Sequence, residues 1–401
     1  MKNNRVIIFI IVLAQFCCTS LWFASNAILP ALIKNFNLAE NALPLLTSAV
    51  QFGFISGTFL FAILSIADRF SPSQVFFISA VIAAVANFCT ILDGNSFISL
   101  LSIRFVTGFF LAGIYPVGMK IASDYRDKGL GKALGFLVGA LVLGTAFPHL
   151  LSASFYNLDW NWVIITTSVI ALFGGLIILI LVPDGPFRKR NFTYKLVSIK
   201  NIFQNKILRN AAFGYFGHMW ELYTFWAFLP IIISTYLIMN PEEKLNISML
   251  SFIIIAIGSI SCVLGGFLAR RNGEKQVARL SLLISGSCCL FSPLVFIMAT
   301  TPVFIGYLLI WGMAVVADSP LFSTLVAQNA PAESKAAALT IVNCIGFAIT
   351  IISIQTISLF SNYIDAKYLY MLLAIGPLIG LMFLFSNKKQ TPKKAEKLKL
   401  N

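Results

Sequence analysis

The chain has 401 residues, 58% of them hydrophobic and only 11% charged. Soluble proteins carry roughly 25% charged residues, so this composition excludes a water-soluble domain and specifies a chain that crosses a membrane many times. The net charge of +14 falls in short connectors and the tail rather than in a basic stripe interleaved with aromatics, which points to anionic lipid as the electrostatic partner and excludes nucleic acid.

A membrane-spanning helix needs about 20 mostly apolar residues. By that rule twelve runs follow one another, at 6–33, 44–66, 74–92, 97–121, 132–155, 161–183, 211–237, 248–269, 277–299, 302–327, 336–360 and 368–386. The first follows Lys2 and Arg5 and continues through LWFASNAILPALI without a cleavage motif, so it reads as a retained span rather than a signal peptide. Cys17, Cys18, Cys89, Cys262, Cys288, Cys289 and Cys344 all lie inside these runs, none at a zinc-ligand spacing. They are expected to be packing residues rather than a disulfide framework or a metal site.

Positively charged loops stay on the cytoplasmic side. One face collects Lys2, Arg5, Arg69, Lys120, Arg126, Lys128, Lys132, the block from Arg188 to Arg209, Arg270, Arg271, Lys275, Arg279, Lys335 and the six tail lysines, while the other keeps only Lys34, Lys244 and Lys367. Both termini are therefore expected in the cytoplasm. The longest connector, Asp184 to Asn210, is basic and joins two sets of six runs. Within it the spacing of Val197, Ile199, Ile202 and Phe203 fits either a short amphipathic surface helix or a basic linker without structure.

Two echoes relate the sets. LSIADRFSPS (Leu64 to Ser73) and GFLARRNGEK (Gly266 to Lys275) place Asp68 over Arg270 at an offset of 202, and GFFLAGIYP (Gly108 to Pro116) lies over GMAVVADSP (Gly312 to Pro320) at 204. Two matches at nearly one offset indicate a duplicated unit. The pair Gly265 and Gly266 is expected to let one helix end against a neighbour, with the following arginines meeting other helix ends as a conformational latch.

On these residues the chain resembles the major facilitator superfamily over essentially its whole length. That family's motif after the second span, roughly G-x-L-A-D-R-x-G-R-K, is matched by Ala67, Asp68 and Arg69, with Leu64 and Ser71 in place of glycines and Pro72 and Ser73 in place of the basic pair. The second copy keeps Gly266, Leu268, Ala269, Arg271, Gly273 and Lys275. Arg104 with Thr107 and Gly108 is similar to the family's fourth-span arginine motif, and GFLVGALVLGTAFPH (Gly135 to His149) is loosely similar to its antiporter motif. The stretches GIYPVGMKIASDY and GKALGFLVGALVLG resemble bacterial members grouped with nitrate and cyanate permeases, although the glycine-asparagine signature of nitrate transporters is absent.

The resemblance implies an all-α fold of twelve membrane helices in two pseudo-symmetric halves, 1–183 and 211–387, with a linker at 184–210 and a basic tail at 388–401. It also implies that spans one, four, seven and ten line a central cavity. Ionisable groups at lipid depth are costly and mark functional sites. Arg104, His218, Glu221, Asp318 and Lys120 all fall on those spans, and His149 falls on the fifth, where a structural role is expected.

Helical spacing puts Arg104 and Tyr115 on one face, Gln15, Trp22 and Asn26 on another, and His218 with Glu221 on a third. Arg104, Tyr115, Trp22, Asn26, Gln15 and Trp311 are the substrate-binding candidates. Arg104 would hold an anionic group bidentately, or serve a carbonyl, Glu221 or Asp318 structurally. Glu221, His218 and Asp318 are the proton-coupling candidates, with His218 and Glu221 close enough in sequence to share a proton. Asp68, Arg69, Lys120, Arg270 and Arg271 form the cytoplasmic gate.

With no HExxH, no P-loop and no connector longer than thirty residues, neither an enzyme nor an ATP-driven pump is expected, and no cofactor. The expected protein is a monomeric secondary active transporter of the bacterial inner membrane, carrying a small anionic solute with protons. Proton-coupled efflux of amphiphilic drugs is the alternative, and a solute receptor that moves nothing is a third.

Overall fold

The structure is a computed structural model and describes residues 4–39, 41–125, 130–155, 158–188, 203–331 and 335–386. The described residues form helices and connectors without β-strand. Of the linker expectations, Val197, Ile199 and Ile202 lie outside the described residues, as do Lys2, Arg126, Lys128 and the tail from 388.

Among the described residues, eleven helices are long and apolar enough to cross a membrane, and Arg5–Thr19 is a shorter apolar helix. Together they give the twelve-helix architecture, with large apolar side chains such as Phe9, Ile98, Ile180 and Met382 exposed on the outside, where lipid rather than water is their solvent.

The first span departs from the expected unbroken run. Helix α1 (Asn4–Thr19) stops, a single turn α2 (Ala24–Ala27) follows, and α3 (Leu29–Phe36) begins with Pro30 in its first turn. Next come α4 (Ala42–Ile63), the turn α5 (Ile66–Arg69) and α6 (Pro72–Phe88).

The fourth span is also broken, into α7 (Phe97–Leu111) and α8 (Tyr115–Asp124), because Pro116 lacks the N–H that would continue the ladder. Helices α9 (Leu130–Ser154) and α10 (Asn161–Leu181) complete the first six spans.

In the second set, α11 (Lys206–Met239) starts inside the expected linker, capped by the Asn205 side chain, and runs through Pro230 for 34 residues. Helices α12 (Ile247–Asn272) and α13 (Glu274–Met298) follow. The tenth span splits into α14 (Thr301–Ala317) and α15 (Ser319–Asn329) ahead of Pro320. Then come α16 (Lys335–Phe360), the turn α17 (Ala366–Leu369), a 3-10 stretch Tyr370–Ala374 and α18 (Ile375–Phe385). Pro377 cannot donate to the Leu373 carbonyl, so the turn before it tightens.

The break at Pro320 repeats the break at Pro116, 204 residues earlier. One contact repeats at the same offset: a Cβ on Gly108 would overlap the carbonyl oxygen of Val50, and a Cβ on Gly312 would overlap that of Ile254. Small residues let helix backbones approach this closely.

The glycine pair behaves differently from expectation. Helix α12 passes through Gly265, Gly266, Arg270 and Arg271 without stopping. It ends only at Gly273, whose φ of 83° and ψ of 145° suit glycine alone. Gly265 lies against the Ala317 carbonyl, whereas nothing comes within 4 Å of a Cβ on Gly266.

Two seams join the sets of spans. Along α9 and α12, a Cβ on Gly139 would sit 3.2 Å from the Ser259 carbonyl oxygen, and the hydroxyls of Ser152 and Ser248 are 3.3 Å apart. Along α4 and α16, Gln355 donates to the Pro44 carbonyl (3.1 Å) and to Ser48 (2.8 Å), while the Cys344 thiol faces the Ile55 carbonyl at 3.9 Å. Both seams hold along their length.

Candidate functional site

Between the closed seams lies a central cavity of about 30 Å³, room for one or two waters. Its walls come from α8 (Tyr115, Met119), α11 (Tyr215, Met219, Tyr223, Trp226), α15 (Ser319, Ser323) and α16 (Asn343, Phe347), with no charged side chain among them. Of the predicted substrate-binding residues, Tyr115 lines it. The structure thus holds the chain occluded, with aromatic rings and methionine packed where the spans converge.

Asn343 was missed because it lies on the eleventh run, outside the spans that the resemblance places at the cavity, and Met119 and Met219 because an apolar side chain in an apolar run carries no signal. An asparagine at lipid depth in the eleventh run is the signal that would have found the first of them.

Arg104 is 1% exposed and is not among the residues lining that cavity. Its guanidinium donates to the carbonyls of Leu21 (3.0 Å) and Trp22, the carbonyls set free where the first span breaks. A broken helix at membrane depth must satisfy its backbone inside the protein, and Arg104 does so with both terminal nitrogens. Of the alternatives for this residue, the carbonyl role is the one occupied in this conformation.

Trp22 packs among Phe54, Tyr223 and Phe347, at ring-centroid separations of 4.8, 5.8 and 5.8 Å. Gln15 is fully buried, and neither its amide nitrogen nor its amide oxygen has a partner among the described residues. Asn26 donates to Thr47 at 2.8 Å.

The acidic candidates separate. Nδ1 of His218 lies 2.8 Å from Oδ1 of Asp318, both residues 1% exposed, across the gap between α11 and the break that precedes α15. Glu221 turns instead to α13 and α14, accepting from Ser285 (2.8 Å), Cys289 (3.2 Å) and the Trp311 indole (2.6 Å). His218 therefore meets an aspartate 100 residues away rather than the glutamate one turn along. Trp311 faces Glu221 and Phe225, not the central cavity.

At the end of the bundle carrying Asp68, Lys120 reaches Asp68 at 2.9 Å and Asp124 at 3.8 Å. Arg188 pairs with Asp184 and donates to the Phe70 carbonyl at 2.7 Å, and Ser71 donates to Asp184 at 2.7 Å. This network ties α5 to α8 and to the start of the linker, and none of its members comes from the second six spans. Arg69, Arg270 and Arg271 are exposed. Arg270 and Glu274 edge a crevice of about 250 Å³ beside Gly266, rather than meeting Asp68, Asp124 or Asp184.

At the opposite end a vestibule of about 1110 Å³ opens among α3, α9, α10, α11 and α12. Asn26, Lys34, His149, Asp159, Pro230 and Lys244 are among its walls.

The family model of the Major Facilitator Superfamily matches residues 11–354. The chain belongs to that superfamily. Two curated relatives are fungal transporters. One is an uncharacterized transporter of Schizosaccharomyces pombe, 30% identical over 91 residues, or 21% of this chain and 14% of the relative. The other is the MFS-type transporter acdC of Aspergillus candidus, 28% identical over 161 residues, or 38% of this chain and 30% of the relative. The chain thus matches less than a third of the length of either. Superfamily membership and the apolar helices make this an integral membrane protein of a transporter family, one whose members are not enzymes.

Proposed function

We propose that the chain is a secondary active transporter that moves a small organic anion with an apolar or aromatic body by alternating access. The halves 1–183 and 211–387 would rock about the central cavity, with proton movement at His218 and Asp318. The observation that carries this reading is the buried His218 and Asp318 contact beside the cavity. Tyr215, whose ring lies 6.1 Å from that of His218, and Ser319, next to Asp318, both line the cavity. A proton added to Asp318 removes its attraction for His218 and loosens α11 from the start of α15, so the proton's position is linked to how the second half packs on the solute.

The positive-inside pattern supports placing the Asp68 end and both termini in the cytoplasm of a bacterial inner membrane, with the protein acting as a monomer. The likeness to the nitrate and cyanate group supports an anion, and the uncharged aromatic walls support an apolar body. Those walls also favour the second reading, proton-coupled export of amphiphiles.

The test is a melting-temperature panel of small anions and lipophilic cations, followed by uptake of each hit into proteoliposomes with and without a proton gradient. Stabilisation by an anion, with gradient-driven accumulation that Asp318→Asn abolishes, supports the proposal. Stabilisation by cations alone replaces it with amphiphile export, and uptake indifferent to the gradient removes the proton.

A further inference from the structure

Three features of the vestibule opposite the Asp68 end converge on one kind of ligand. Its face holds few cations, yet Lys34 on α3 and Lys244 just before α12 both line this one cavity. His149 of α9 also lines it, 1% exposed, and its Nε2, sealed from solvent in this conformation, has no hydrogen-bond partner among the described residues. A buried polar nitrogen left unpaired costs free energy that a ligand atom restores. Asn26, which donates to Thr47, and Asn246, whose Oδ1 caps the start of α12, complete the polar part of the walls.

We infer that this vestibule is a recognition site for a small carboxylate, with His149 donating to it from the wall and Lys34 and Lys244 drawing it in from the rim of each half. The charge balance favours a monoanion. The two lysines and Asp159, the acid that shares the lining, leave one positive charge, while Glu242 and Glu243 lie exposed on the loop before Lys244 and outside the lining. A doubly charged phosphate would place a surplus negative charge beside Asp159.

The cavity of about 1110 Å³ is ample for a small organic acid. Pro230, in the middle of α11, also lines it, so the site shares with the central cavity a helix that carries His218. A solute captured here stands on the approach to the central cavity when the α9 and α12 seam parts.

The inference rests on the anion reading of the transporter, and the test separates the two. Binding of acetate, benzoate and phenyl phosphate, and of the neutral analogues acetamide and benzamide, is measured by calorimetry on the purified full chain. The wild type is compared with Lys34→Gln/Lys244→Gln, His149→Phe, His149→Gln and Arg104→Gln. Both lysines are exposed, so their replacement spares the fold, and His149→Gln keeps a donor where His149→Phe has none.

The expected result is that benzoate outbinds benzamide and phenyl phosphate, and that the lysine pair costs about three- to tenfold in affinity at low salt and less at high salt. His149→Phe should cost roughly tenfold or more, the size of one charge-assisted hydrogen bond, with partial recovery in His149→Gln. Benzoate binding untouched by every vestibule change but lost in Arg104→Gln overturns the vestibule site and leaves the anion reading standing. Equal affinity for benzoate and benzamide, or no binding of any anion, overturns both.

Discussion

Arg104 and Leu21 are 83 residues apart, and a guanidinium nitrogen of the first lies 3.0 Å from the carbonyl oxygen of the second. That contact, with its companion to Trp22, makes the broken first span tolerable at lipid depth, because carbonyls released by a helix end have no water to turn to. Removing the guanidinium leaves two buried acceptors unpaired. Arg104→Gln is expected to lower stability by roughly 3 kcal/mol, the scale of hydrogen bonds to a charged group. Denaturant titration in mixed micelles measures it. A loss of anion binding with stability intact would instead assign the arginine to the solute.

Helix contacts give a sharper contrast. Gly108→Ala and Gly312→Ala should each destabilise by about 1–3 kcal/mol, since the added methyl meets a backbone carbonyl that cannot step aside. Gly266→Ala meets nothing and should be neutral or stabilising by up to about 1 kcal/mol, the helix-propensity gain. Thermal unfolding of the three variants in one detergent checks the order, and a Gly266 variant as damaged as the other two would contradict the packing described.

The end of α12 makes its own prediction. Gly273, at φ 83° and ψ 145°, occupies backbone space closed to other residues, so Gly273→Ala should cost about 1–3 kcal/mol. Protease sensitivity of the connector between α12 and α13 should rise with it.

These cases also show what the sequence could tell. The twelve runs were legible from apolar length, and the repeat from Pro116 and Pro320 recurring in one register. That the fourth and tenth runs break there was not, because a proline inside an apolar run does not by itself end a helix: α9 passes through Pro148 and α11 through Pro230. The role of Arg104 was not, because nothing local marks the carbonyls of Leu21 and Trp22 as its partners. His218 offered Glu221 as a neighbour three residues away, and periodicity alone cannot reveal that α11 turns one toward Asp318 and the other toward Ser285, Cys289 and Trp311. Gly265 and Gly266 look like a helix end in sequence. In a membrane helix, small residues serve close packing as often as termination, and the true end waits for Gly273.

The Asp68 and Lys120 pair is partly exposed, with 21% and 23% of the side chains accessible, so its worth to stability is under about 1 kcal/mol. Lys120→Gln should leave the melting temperature nearly unchanged while altering the balance between conformations, read as a changed rate of cysteine labelling at sites lining the closed seams. A large loss of stability would mean that the pair holds the fold rather than a gate.

Under the proposed function, the proton at His218 and Asp318 controls how the second half packs, and so which end of the bundle is open. Spin labels at Arg69 and Arg271 report one end, and labels at Asn35 and Asn246 the other; all four positions are exposed. Pulsed dipolar spectroscopy at about pH 8 and at about pH 5 should show one distance lengthening as the other shortens, with the response lost in Asp318→Asn. Distances that ignore pH, or that respond identically in the variant, would contradict the account.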